Sequence, residues 1–167
     1  MSLDNIQLTP FLVQNLYTKT LVDLNNVQQV SASKPTVSIP ALGQNAKNIL
    51  LLVNETKVPF VADDDLKLLV GILTACKLSL ADVALVNFDK NESATYDLLM
   101  DQFNPGFVIL FGVLPQQLSF PLNFPNYQLQ QYNNQTFLCA PALKILAAVT
   151  DEKKQLWNCL QKHFFKP

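Results

Sequence analysis

The sequence contains no arginine: every member of its Lys+Arg total of 12 is a lysine, and the formal net charge is -1. Nucleic-acid surfaces favour clustered basic residues, and arginine above all for bidentate contacts to phosphate and guanine. The composition therefore argues against direct, tight DNA binding. Histidine occurs once, at position 163, so a Ser-His-Asp or Cys-His mechanism would depend on a single base close to the end of the given chain. Glycine is also scarce, and none lies between positions 54 and 69, where a strand-to-helix phosphate cradle would need it. Nucleotide binding of the Rossmann or P-loop kind has no support.

Cysteine is limited to Cys76, Cys139 and Cys159, widely spaced and each inside an apolar stretch. An odd count with no C-x-x-C pair gives neither a disulfide framework nor a zinc or iron–sulfur site, and no cofactor or metal is expected. Reduced core thiols in a cytoplasmic protein are the simpler reading. No basic start followed by an apolar run marks a signal peptide at residues 1–7, and the longest apolar runs are about strand length. The expectation is a soluble, cytoplasmic protein with no membrane contact.

What the chain does have is hydrophobic mass: 49% of its 167 residues are hydrophobic and 15% are charged, enough for one domain to bury a core without staples. Leu12, Val13, Leu16, Tyr17 and Leu21 recur at three- and four-residue steps, predicting an amphipathic helix over 9–24 that starts at Thr9-Pro10. Residues 25–48 are rich in Asn, Gln, Ser and Pro and read as a polar linker, with a possible extended piece at 36–39. The division is thus 1–47, N-terminal helix and linker, and 48–167, an α/β domain.

Within that domain Ile49-Leu50-Leu51-Leu52-Val53 is a continuous apolar run of the kind found in strands buried on both faces. Asp63 reads as the cap of a helix with a stripe at Leu66, Leu69, Val70 and Leu73. A second strand at 83–87, a helix at 93–103 and a third strand at 107–111 follow. Residues 114–126 read as a long proline-bearing loop, and Asn133-Asn134 as a hairpin turn between 127–132 and 136–139. Thr150 reads as the cap of a last helix at 151–163. The expected architecture is a three-layer α/β/α fold on a central, mainly parallel sheet of four to five strands.

Glu55 and Asp89 fall just beyond the first and second strands, where α/β sheets place their sites, and they are the candidate acid–base residues. The triple aspartate 63–65 needs no metal, since acidic residues complement the positive end of a helix.

The run Leu50-Leu51-Leu52-Val53-Asn54-Glu55, then Ala84-Leu85-Val86-Asn87, Val108-Ile109-Leu110-Phe111-Gly112 and Ala140-Pro141-Ala142-Leu143 resembles the motif order of uracil-DNA glycosylases, especially the iron–sulfur type. That resemblance implies Glu55, Asn87 and Asp89 as alternative catalytic residues acting on a base or nucleoside. The chain departs from the pattern: the catalytic loop lacks its proline and glycines, Ala140 stands where the histidine would be, and there are not four cysteines for a cluster.

A second resemblance covers the whole chain. Size, the detached N-terminal helix and the ending Ala140-Pro141-Ala142-Leu143, Thr150-Asp151-Glu152, Leu156-Trp157, Phe164-Phe165 are similar to the psi subunit of the bacterial DNA polymerase III clamp loader. It implies a non-catalytic protein-binding accessory subunit in DNA replication. Its partners would be the clamp loader, through Phe11, Leu12, Leu16, Tyr17 and Leu21, and a chi-like subunit on the domain surface. A homodimeric scaffold, joined through the helix or the proline-bearing loop, is the remaining expectation.

Overall fold

The computed structural model describes residues 38–119 and 123–165. The amphipathic segment 9–24, with Phe11, Leu12, Leu16, Tyr17 and Leu21, lies outside the described residues.

The elements run β1 (Ile49–Val53), α1 (Asp63–Ala75), β2 (Val83–Asn87), α2 (Tyr96–Phe103), β3 (Phe107–Phe111), β4 (Leu129–Tyr132), β5 (Gln135–Ala140), α3 (Leu143–Ala148) and α4 (Thr150–Phe164). They form one five-stranded sheet of order β2-β1-β3-β5-β4. β1 lies parallel to β2 and β3, β5 lies parallel to β3, and β4 runs antiparallel along β5. This is the three-layer α/β/α arrangement that alternating buried strands and helices imply. Among the described residues no helix is long and apolar enough to cross a membrane.

The apolar runs of β1, β2 and β3 are buried at every position, because helices cover both faces of the sheet. Side chains alternate in direction along a strand, so each run feeds two cores. Ile49, Leu51 and Val53 of β1 join Leu69 and Leu73 of α1, Leu143 and Leu146 of α3, and Leu156 and Leu160 of α4. Leu50 and Leu52 meet Leu99 and Phe103 of α2 on the opposite face. Each fully buried leucine contributes about 2 kcal/mol by area, and truncating one to alanine costs about 3 kcal/mol once the cavity is included.

Several local expectations change. Residues 38–47, read as the end of a linker, are built into the domain. Leu42 exchanges both backbone hydrogen bonds with Leu85 at 2.8 Å, and Asn45, Ala46 and Lys47 donate to the carbonyls of Val83, Ala81 and Asp82. The segment closes the otherwise open edge of β2, and backbone pairing rather than side-chain hydrophobicity holds it. Gly43 permits this approach, since at φ +108° a Cβ there would sit 2.2 Å from the Val83 carbonyl oxygen.

The helix read from Asp63 has Ala62 as its N-cap, and the last helix has Val149, with Thr150 already inside it; neither start has a side-chain cap bond. α2 begins at Tyr96 rather than near Ser93. Helix α3 stands between Ala142 and Val149, where the sequence reading gives no element. At six residues, with Ala142 before it, α3 carries neither a periodic stripe nor a capping side chain.

Candidate functional site

The chain leaves β1 through α1 toward β2, then crosses through α2 to β3 on the other side of β1. The carboxyl ends of β1 and β3 therefore form a topological switch point, where open α/β sheets present their crevice. A small cavity of about 130 Å³ opens there, lined among others by Glu55, Asp65, Phe111, Ala142 and Lys144.

Asn87 ends β2 opposite Val53 and is fully buried. Its side-chain oxygen accepts from the Glu55 backbone N–H at 3.0 Å. Its amide nitrogen lies 2.7 Å from the Glu55 carbonyl, 3.1 Å from that of Val58 and 3.2 Å from that of Pro59. A buried primary amide has two donors and one carbonyl to satisfy, and the β1–α1 loop takes all of them. Lys90 adds a bond to the Thr56 carbonyl at 2.7 Å, and Asn91 ties back to the Asn87 carbonyl at 2.8 Å.

The Glu55 carboxylate, 12% exposed, is closed by Lys144 at the start of α3, whose ammonium bonds both carboxylate oxygens, one of them at 2.8 Å. Accepting from Lys144, Glu55 holds that ammonium's pKa above the ordinary lysine value; Asp65 adds to the effect and desolvation opposes it. Asp65, 7% exposed on the first turn of α1, is pushed above the usual carboxylate range mainly by burial. Lys144 partly offsets that, while Glu55 and Asp64 reinforce it. Gly112 after β3 (φ +68°) lets the chain after β5 close on this end of the sheet: a Cβ there would lie 2.9 Å from that of Ala142.

Glu55 and Asn87 are thus brought together, but through the Glu55 backbone. Asp89 is paired with Lys90 at 3.3 Å and does not line the cavity. Asp65 and Lys144 escape sequence reasoning. Asp65 reads there as one of three aspartates at a helix start, and Lys144 meets Glu55 across 89 residues of chain. Among the described residues no cluster of three or more His, Cys, Asp or Glu could hold a metal.

The crevice is narrow for substrate, since pockets for small molecules run to about 300–1,000 Å³. Two larger concavities lie elsewhere. An apolar groove of about 420 Å³ runs between α1 and α4 over Leu68, Gly71, Ile72 and Trp157. A cleft of about 540 Å³ sits beside the opposite, amino end of β1 and β3. No protein-family model matches the chain, and no curated protein matches it.

Proposed function

We propose that this chain is a non-catalytic, protein-binding accessory subunit, of the kind implied by its resemblance to the psi subunit of the bacterial clamp loader. The observation that carries the reading is the state of Asn87. In the glycosylase resemblance this asparagine would face a flipped base; here its donors and acceptor are all spent on the loop after β1. Glu55 is likewise engaged by Lys144. The switch-point crevice reads as a clasp that fixes the loop to the sheet, leaving the domain as a rigid carrier of surface contacts.

In this reading Phe11, Leu12, Leu16, Tyr17 and Leu21 anchor the N-terminal segment in a groove of the clamp loader, and the α/β domain engages a second, chi-like subunit. The protein works in the cytoplasm, consistent with three free, buried cysteines.

Affinity capture from the native organism tests it, with full-length protein beside a variant carrying Leu16→Ala and Tyr17→Ala. Clamp-loader subunits recovered by the first bait and lost by the second are the expected outcome. Identical lists without replication proteins would reduce the psi resemblance to one of fold. Excision of uracil from an oligonucleotide, abolished by Asn87→Ala in a variant that stays folded, would favour the glycosylase reading instead.

A further inference from the structure

At the amino-terminal edge of the sheet, α1 ends in a turn that brings a lysine to a cleft. The Lys77 N–H bonds the Thr74 carbonyl and the Leu78 N–H bonds the Leu73 carbonyl, which places Lys77 in the left-handed position that glycine usually fills. The last turn of α4 arrives over the start of β3. There the His163 imidazole stacks on Phe107 with centroids 3.9 Å apart and planes 15° apart, and Phe164 meets the same ring edge-on at 5.4 Å. Phe165 completes the aromatic wall, with the Lys77 ammonium 5.8 Å from its centroid.

The resulting cleft of about 540 Å³ has the size of a small-molecule site. Among the described residues its charged lining is of one sign: Lys47 and Lys77 line it and no carboxylate does. Lys47 makes a long 3.8 Å pair with Asp82 and is half exposed. Among the described residues no carboxylate pairs with Lys77, and none of them hydrogen-bonds the half-buried imidazole of His163. An aromatic wall beside two cations and an imidazole that makes no hydrogen bond among the described residues suits a ligand with a flat apolar body and a negative end.

We propose that this cleft binds a small planar aromatic carboxylate, its ring against Phe164 and Phe165 and its carboxylate between Lys47 and Lys77, with His163 as a further hydrogen-bonding group. Burial lowers the His163 pKa from its ordinary value, so the ring is neutral at pH 7 and retains one N–H to donate. The site does not rest on the partner reading: the described residues that line the cleft include neither the N-terminal anchors nor the Glu55 clasp.

The test uses full-length protein and 2-naphthoate, followed by NMR on the imidazole of His163, the one histidine in the chain. A saturable shift of that resonance with half-saturation below about 1 mM is expected, and 2-naphthylmethanol, the neutral analogue, should bind at least about tenfold more weakly. Lys77→Gly, which suits the left-handed backbone, and Lys47→Gln should each weaken naphthoate about fivefold or more while leaving the alcohol unchanged. No saturable shift, equal affinity for acid and alcohol, or unchanged affinity in both variants would overturn the proposal.

Discussion

Asn87 and Glu55 are joined by a reciprocal pair of hydrogen bonds, the asparagine oxygen accepting from the Glu55 N–H at 3.0 Å and its amide donating to the Glu55 carbonyl at 2.7 Å. A side chain here does the work of one more ladder residue, carrying the β1–β2 pairing past the end of the strands. Removing it leaves an N–H and carbonyls of the loop without partners beside a fully buried side-chain position. Asn87→Ala should therefore cost about 3 kcal/mol in urea unfolding, and Asn87→Asp nearly as much, because a carboxylate cannot donate to the loop carbonyls. A loss below about 0.5 kcal/mol would show that the loop does not depend on this clasp.

The strands are legible because Leu50-Leu51-Leu52 and Val108-Ile109-Leu110 sit in short continuous apolar runs bounded by Asn, Pro and Gly, the pattern of strands covered on both faces. The Asn87 clasp is not. An asparagine at a strand end looks the same whether it faces a ligand or its own backbone, and only the path of the loop through Val58 and Pro59 separates the two. Residues 42–47 depart from the linker pattern of their side chains for a related reason: backbone groups hold them to 81–85, and backbone groups leave no pattern in side-chain chemistry. Lys144 meets Glu55 because the β5–α3 turn returns to the end of β1, a contact set by topology alone.

Gly43 and Lys77 make opposite predictions about backbone strain. Gly43 has φ +108° with a carbonyl oxygen where a Cβ would be, so Gly43→Ala should destabilise by about 2 kcal/mol or more and loosen the segment from β2. Lys77 holds φ 59° without being glycine, so Lys77→Gly should stabilise by about 0.5–1 kcal/mol. Urea midpoints of the two variants against the parent decide both.

Asp65 sets a pH dependence. Burial raises its folded-state pKa above the ordinary value of 3.8, so over the window above that value the folded chain holds a proton that the unfolded chain has released. Its contribution to stability is greatest when it is protonated and declines as pH rises through that window. Asp65→Asn, which cannot ionise, should be more stable than the parent at pH 7, and the advantage should vanish in acid. Stability curves of the two proteins that run parallel from about pH 3.5 to about pH 7 would remove the desolvation argument.

The three thiols should be inert in the native state. Cys76, Cys139 and Cys159 are buried, and burial pushes Cys139 up to about 11. At pH 8 that leaves only about one Cys139 in a thousand as the reactive thiolate. Iodoacetamide should modify all three rapidly in denaturant and slowly without it, with mass spectrometry reporting the count.

The β4–β5 hairpin turns on Asn133 and Asn134, at φ 48° and 60°. Both central residues in the left-handed region suit the twist of a two-residue hairpin, and asparagine followed by glycine satisfies that turn best. Asn134→Gly should accordingly stabilise by about 0.5 kcal/mol, whereas Asn134→Ala, which pays the left-handed penalty, should cost about 1 kcal/mol. The effect should be local as well as global. Among the described residues β4 pairs in the sheet with β5 alone, in the register Leu129↔Leu138 to Tyr132↔Gln135. Hydrogen exchange of the β4 amides should therefore accelerate in Asn134→Ala more than that of β1, which is paired on both sides. Equal acceleration of the two strands would mean that the hairpin opens only when the whole sheet does.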